Sequence, residues 1–182
     1  MSRLSRFILK LFGWKPVYRM PANIGNCILL VAPHTSFWDF PIGRLSAYAY
    51  KLKVNFLIKK EYFHFPIRHF LMWIGGIPVD REHGSNVARH VVDVFKNSAN
   101  LCLVITPEGT RKYTEHWKKG YYFIATAAQI PIVLCYVDYK EKVCCVSDVV
   151  IYPGGNYEKD FETIKQFYKG RVAKFPEDFN LS

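Results

Sequence analysis

The chain has 182 residues, of which half are apolar and 16% are aromatic, so it is long enough to bury a hydrophobic core and is not a disordered tail. Lysine and arginine outnumber aspartate and glutamate by 25 to 15, which gives a formal net charge of +10. This charge favours anionic partners, which could be nucleic acid, membrane headgroups or phosphate-bearing ligands, and it does not choose among them.

The amino-terminal segment, residues 1–20, has the pattern of an amphipathic helix that associates with a membrane. Large apolar residues recur at helical spacing, and basic residues fall on the opposite side. The apolar members are Leu4, Phe7, Ile8, Leu11 and Phe12, and the basic members are Arg3, Arg6 and Lys10. Charges interrupt what would be the core of a secretory signal, and no small-residue cleavage site follows. Two interpretations stay open: the helix lies in a membrane interface, or it packs on the domain.

The rest of the chain, residues 21–182, alternates apolar runs typical of buried strands with stretches typical of helices. Strands are predicted at 26–32, 54–60, 76–80, 101–106, 131–139 and 142–152, and helices at 44–53, 65–75, 86–98, 121–129 and 157–175. This alternation predicts a single α/β domain in which helices flank a mostly parallel mixed sheet. The last two strands are the candidates for an antiparallel pair. Nowhere does an apolar run reach the roughly 18 residues that a spanning helix needs.

The five cysteines lie in apolar, strand-like stretches and form no C-x-x-C pair. They are Cys27, Cys102, Cys135, Cys144 and Cys145. We expect reduced, buried thiols, as in a protein that faces the cytosol. The histidines show no spacing typical of metal ligands, so no metal site is predicted.

Three charged loops follow predicted strands, where open α/β sheets place their chemistry. They are PHTSFWD at 33–39, VDRE at 79–82 and TPEGTRK at 106–112. If the loops converge, His34 can act as a base and Asp39 as the acid that orients it. Arg81, Arg111 and Lys112 would then supply positive charge for a phosphate.

Asp39 has a second possible role. Pro41 is tolerated only in the first turn of a helix, so a helix should begin near Asp39 and leave His34 in the preceding loop. Asp39 is therefore a candidate helix N-cap, a role worth about 1 kcal/mol. Both roles are compatible, because a carboxylate fixed there could accept a hydrogen bond from His34 Nδ1–H and leave Nε2 as the base.

These motifs resemble the glycerolipid acyltransferase family that includes bacterial 1-acylglycerol-3-phosphate acyltransferase. Four blocks match in order: HTSFWD at 34–39, GGIPVDR at 75–81, PEGTR at 107–111 and IPIV at 130–133. Between and after these blocks, Lys59 with Glu61 and Lys119 with Gly120 match further family positions. The resemblance covers residues 26 to 139. The chain departs from the common pattern at Pro33 and Thr106, which precede the first and third blocks.

The resemblance implies a glycerol-3-phosphate acyltransferase-like fold and acyl transfer without a cofactor. His34, oriented by Asp39, would deprotonate the hydroxyl of a lysophospholipid as it attacks the thioester of acyl-CoA or acyl carrier protein. The implied substrate-binding residues are Lys59, Arg81, Glu108, Gly109, Thr110 and Arg111. Arg111 would hold the acceptor phosphate, with Lys59 and Arg81 as further anchors. Glu108 would orient either Arg111 or its loop.

The acyl chain should lie between the sheet and the helix at 65–75, where Gly75 and Gly76 leave room. The expected partners are the acyl donor, the lysophospholipid and an anionic membrane surface, with the protein peripheral on the cytoplasmic face. Two alternatives stay open. The acceptor could be another lysolipid or an aminolipid, or the chain could be a basic nucleic-acid-binding module. Nucleic acid is not expected, because no RNP, KH or helix-turn-helix pattern is present.

Overall fold

The computed structural model describes residues 2–80 and 84–181, with the backbone alone for 84–86. The strands are β1 Lys15–Tyr18, β2 Cys27–Val31, β3 Asn55–Lys59, β4 Gly76–Val79, β5 Cys102–Ile105, β6 Ile132–Asp138 and β7 Val143–Ile151. The helices are α1 Ser2–Leu11, α2 Asp39–Ala49, α3 Ile67–Trp73, α4 Gly84–Lys96, α5 Gly120–Ala128 and α6 Tyr157–Tyr168. Short 3₁₀ helices cover Lys60–Tyr62 and Pro176–Asp178.

The strands form one seven-stranded sheet in the order β1-β7-β6-β2-β5-β3-β4. Every neighbouring pair is parallel except β6 and β7, which are antiparallel. This confirms the predicted α/β class and the antiparallel last pair. β2 lies at the centre between β5 and β6, and its run CILLV is apolar throughout because a central parallel strand is buried on both faces.

Helices cover both faces of the sheet. On the α4–α6 face, Ile28, Leu30 and Leu103 pack in the main core with buried residues of α4, α5 and α6. On the opposite α2 face, Leu29 and Ala47 belong to a second buried cluster, and α1 packs against α2. The buried cluster on the α2 face is the smaller of the two.

The edge strand β1 and the end of the last helix depart from the predicted elements. β1 was not predicted, and it pairs with β7 at the edge of the sheet although it lies within the amino-terminal segment. A four-residue strand that contains Pro16 carries little signal, and proline is tolerated only at such an edge. The last helix ends at Tyr168 and not near 175, because Lys169 is extended and Gly170 has a positive φ of 80°.

Within the described residues, no helix has both the length and the apolar content needed to cross a bilayer. All five cysteines are free and buried, which confirms the predicted burial.

Candidate active site

The loop after β2 carries a hydrogen-bonded histidine and aspartate. His34 Nδ1 lies 2.9 Å from Asp39 Oδ2, which also accepts a hydrogen bond of 3.0 Å from the backbone N–H of Ser36. Asp39 is only 6% exposed, whereas the His34 ring is partly open to solvent. A carboxylate oxygen accepts hydrogen bonds, so this pairing favours the tautomer of His34 that has the proton on Nδ1 and the lone pair on Nε2. The geometry is that of an oriented general base.

Asp39 is not the N-cap of α2, so that hypothesis was wrong. The N-cap position is Trp38, which makes no side-chain cap bond, and Asp39 is the first residue of the helix. Its carboxylate turns back toward the loop, where His34 and Ser36 bind Oδ2 and Tyr139 binds Oδ1. With both oxygens engaged, the carboxylate has a positioning geometry rather than a capping one.

Tyr139 is a part of the site that sequence reasoning missed. It directly follows β6, and its hydroxyl donates a 2.6 Å hydrogen bond to Asp39 Oδ1. Burial, together with this hydrogen bond to Asp39, raises the pKa of Tyr139 far above its ordinary value, so the phenol remains a donor. The ring of Trp14 packs edge-on against it at 5.1 Å between centroids. The only available signal was the position of Tyr139 at the carboxyl end of a strand.

Glu108 supports the loop from the opposite side. It is 2% exposed, and its Oε1 accepts a 2.9 Å hydrogen bond from the backbone N–H of His34. Burial raises the pKa of Glu108 to about 7, although hydrogen bonds from backbone N–H groups and the nearby His34 oppose the shift. The other oxygen, Oε2, has no hydrogen-bond partner among the described residues. Glu108 was expected to orient Arg111 or its own loop, whereas the hydrogen bond in the structure is to the His34 loop.

The His34–Asp39 pair lines a cavity of about 730 Å³ on the α2 face of the sheet. Its walls are largely apolar and include Leu29, Val31, Phe40, Ala47, Val104 and Cys135. This volume is within the range of small-molecule and cofactor sites. A catalytic base therefore adjoins a space suited to an apolar ligand.

The predicted location of the apolar space, under the helix at 65–75, was wrong. No described residue of α3 lines the cavity. A Cβ on Gly76 would lie 2.8 Å from the carbonyl oxygen of Leu71 in α3 and 2.8 Å from the side chain of Ile58. The glycine lets helix and strand approach closely and leaves no space between them.

Two basic residues in the cavity wall were not identified from the sequence. Arg44 donates to the hydroxyl of Tyr48 and the carbonyl of Val54, and its Nε has no hydrogen-bond partner among the described residues. Lys118 lies over Gly109, which has a positive φ of 65°, and a Cβ there would be 2.8 Å from the lysine side chain. The family pattern pointed to the next residue, Lys119, whose ammonium instead lies 4.3 Å from the ring centre of Tyr157.

Thr110 and Arg111 line a second cavity of about 490 Å³, which shares the His34 loop as a wall through Thr35 and Ser36. Lys112 and two acidic residues near the carboxyl terminus, Glu177 and Asp178, also line it. The structure thus places His34, Asp39 and Gly109 in the wall of the large cavity and Thr110 and Arg111 in the wall of the smaller one, while Glu108 lines neither. Lys59 is exposed at the end of β3 and lines neither cavity, and Arg81 lies outside the described residues.

In the part of the chain that the structure describes, no three His, Cys, Asp or Glu side chains are grouped in a way that could hold a metal ion.

A model of the acyltransferase family matches residues 17–138, about two thirds of the chain. The crystal structure of the 1-acyl-sn-glycerophosphate (LPA) acyltransferase PlsC from Thermotoga maritima is similar, with a TM-score of 0.65 and 16% sequence identity. That similarity covers 95% of this chain and 80% of the other, and at such low identity it establishes the fold. No curated protein matches the sequence significantly.

Proposed function

The chain belongs to the acyltransferase family, and from this premise we propose that it transfers a fatty acyl group from a thioester to the hydroxyl of a lysophospholipid. The donor would be acyl-CoA or acyl carrier protein. The proposed acceptor is 1-acylglycerol-3-phosphate, the substrate in the name of the structurally similar Thermotoga maritima enzyme. The observation that carries the proposal is the His34–Asp39 pair in the wall of a 730 Å³ apolar cavity.

In the proposed reaction, His34 Nε2 takes the proton of the acceptor hydroxyl as its oxygen attacks the thioester carbonyl carbon. A C–O bond forms, the C–S bond breaks, and the leaving thiolate takes up the proton that His34 holds, which restores the base. Asp39 holds the imidazole through Nδ1 and stabilises the positive charge that develops on the ring. Tyr139 and the Ser36 N–H in turn hold the carboxylate. The route needs no acyl-enzyme and no cofactor.

The large cavity suits the acyl chain, because its walls are mostly hydrophobic and it begins at the catalytic pair. Arg111 is the proposed phosphate anchor, since a guanidinium can bind phosphate with two parallel hydrogen bonds. Lys118, at the edge of the large cavity, is a second cation for the anionic donor or acceptor.

A second candidate acceptor is a lysolipid that carries an amine as well as a phosphate. The observation that favours it is the mixed charge of the smaller cavity, where Glu177 and Asp178 share the walls with Arg111 and Lys112. The basic pair would bind the phosphate and the acidic pair the ammonium group. A phosphomonoester alone would meet repulsion from the carboxylates.

We also infer that the protein acts as a peripheral protein on the cytoplasmic face of an anionic membrane. This inference is supported by the net charge of +10 and by the exposed apolar residues of α1.

The proposal is tested by incubating purified protein with labelled acyl-CoA or acyl carrier protein and a panel of lysolipids with and without amine groups, followed by mass spectrometry. His34→Ala should reduce turnover by roughly 10² to 10⁴-fold, because it removes the general base. His116→Ala is the control, since it deletes an imidazole that is exposed and lines neither cavity. Equal turnover by folded His34→Ala protein would refute the mechanism.

A further inference from the structure

The segment from Tyr62 to Trp73, here called the α3 surface, exposes an unusual amount of apolar side chain. Its large exposed members are Tyr62, Phe65, Ile67, Phe70, Met72 and Trp73. Phe65 is 83% and Trp73 is 63% exposed, and α3 contains no buried residue. Single exposed apolar residues are ordinary, but six within twelve positions form a patch that normally marks an interaction site.

The α3 surface packs against the sheet at its edge strand β4. The carbonyl of Leu71 lies where a side chain on Gly76 would be, so the helix backbone approaches β4 closely. After the helix, Gly75 accepts hydrogen bonds at its carbonyl from the N–H of Phe56 and the side-chain amide of Asn55. The helix that carries Phe70 and Trp73 thus packs directly on β4, with its exposed side chains turned away from that contact.

The α3 surface lies on the same side of the sheet as the large cavity. A side chain on Gly76 would contact both Leu71 of α3 and Ile58, and Ile58 lines that cavity. The same face is covered by α2, against which α1 packs. The helices α1 and α3 are therefore both on the α2 face.

The positive charge around the α3 surface favours an anionic partner. The α3 surface and the three residues before it, 59–73, carry Lys59, Lys60 and Arg68 against the single acid Glu61. Two copies of such a patch would repel each other across a dimer interface, whereas an anionic lipid surface would attract both. Tyr62 and Trp73 also have the amphipathic rings that are enriched at membrane interfaces.

We propose that the α3 surface is a second lipid-docking site, distinct from α1, which inserts its aromatic side chains among anionic headgroups. Docking through α1 and α3 turns the α2 face, with its cavity, toward the bilayer. The acyl chain of a membrane lipid can then enter the cavity without crossing water. This last step rests on the proposed acyltransferase function, whereas the docking itself does not.

The experiment measures binding of the full-length protein to vesicles of phosphatidylglycerol and phosphatidylcholine by co-sedimentation. Phe70→Ser combined with Trp73→Ser should weaken partitioning by roughly tenfold or more, because two large side chains no longer enter the interface. Phe70→Ser and Phe123→Ser form a matched pair, since the two phenylalanines are 57% and 56% exposed. Phe123 lies on α5, on the opposite face of the sheet, so its loss should leave binding unchanged.

Arg68→Glu provides a variant that leaves the apolar residues intact. It should weaken binding at low salt and have less effect at high salt, where surface charges are screened. Activity on a monomeric short-chain lysolipid should stay at the wild-type level in all these variants. If no lysolipid is acylated at all, the proposed function fails, and vesicle binding still decides the docking proposal. Unchanged binding by the double variant, or a wild-type dimer that the double variant converts to monomer, would overturn it.

Discussion

Tyr139 and Asp39 are 100 positions apart in the chain, yet their 2.6 Å hydrogen bond fixes one oxygen of the carboxylate that holds His34. A hydrogen bond to a charged group contributes about 1.5 to 3 kcal/mol. If that contribution keeps Asp39 aligned, Tyr139 acts on catalysis through Asp39 and not through substrate contact. Consistent with this, it does not line the large cavity.

Tyr139→Phe should therefore lower kcat by roughly tenfold or more and leave KM for the acceptor unchanged. The ring itself remains, so its contact with Trp14 should persist. Steady-state kinetics on the variant check this, with Tyr152→Phe, at an exposed site, as the control. An increase in KM at constant kcat would show that Tyr139 shapes substrate binding instead.

Glu108 should make stability depend on pH in an unusual direction. Burial raises its pKa from 4.5 to about 7, so the folded state favours the neutral acid while the unfolded chain ionises earlier. This contribution is fully present below pH 4.5 and is lost as pH rises toward 7, by an amount on the order of 3 kcal/mol. His34 and Asp39 also act on the Glu108 charge, in opposite directions.

Glu108→Gln removes this titration and keeps an oxygen that can accept the N–H of His34. Denaturant unfolding of both proteins between pH 5 and 8 should show the wild type losing stability relative to the variant as pH rises. The comparison isolates Glu108, because His34 and Asp39 are present in both proteins. A constant difference across this range would mean that the folded-state pKa is not raised.

The core of the site could be predicted from sequence because its residues lie close together in two short motifs. His34 and Asp39 are five residues apart, and Glu108 belongs to the loop after a strand adjacent to theirs. Tyr139 and Arg44 could not be predicted, because their roles come from packing between elements that no local pattern encodes. The sequence indicates positive charge at Lys59 and Arg111, but not that Arg111 lines the smaller cavity while Lys59 lines neither.

At the scale of elements, long apolar runs were the most informative. A run such as β2 has one stable environment, the centre of a sheet, so its strand character and parallel pairing follow from composition. The edge strand β1 gains most of its stabilisation from β7, which the sequence does not reveal. Gly75 and Gly76 were expected to leave room for the acyl chain beneath the helix. They instead permit close contact between neighbouring backbone segments.

Gly75→Ala should destabilise the fold by about 2 to 4 kcal/mol, since the residue has a φ of 87° and a Cβ would lie 2.4 Å from the carbonyl oxygen of Val54. Gly120→Ala serves as the control, because a Cβ there meets no atom within 4 Å and should change stability by less than about 0.5 kcal/mol. Urea unfolding measures both variants. Equal stability of the two variants would show that the turn after α3 adjusts without cost.

At the scale of the whole molecule, the two faces of the sheet differ in what they contain. The α4–α6 face holds the main core, where Tyr121, Phe95 and Tyr168 are fully buried. The α2 face holds the cavity and the catalytic pair, and α1 and α3 present apolar side chains on it. The proposed function thus lies on the α2 face, and the larger of the two buried clusters lies on the other.

The helix α1 combines the two interpretations that its sequence left open. Ser5 and Leu9 are buried, so the helix packs on the domain, while Leu4, Phe7 and Leu11 stay exposed. Deleting the helix would remove both contributions at once. Separate substitutions on its two sides distinguish them.

Phe7→Ser with Leu11→Ser should weaken binding to anionic vesicles by roughly tenfold or more and leave the melting temperature unchanged, because exposed side chains contribute little to folding. Leu9→Ala should leave vesicle binding unchanged and lower the stability by about 2 to 5 kcal/mol through the cavity that it creates. Co-sedimentation and thermal unfolding of each protein give both readouts. Activity on vesicle-embedded lysolipid should fall with binding in the first variant, whereas activity on monomeric short-chain lysolipid should persist. If the Phe7 and Leu11 variant sediments with vesicles like the wild type, α1 contributes to folding and not to membrane binding. The α3 surface would then be the membrane-binding surface.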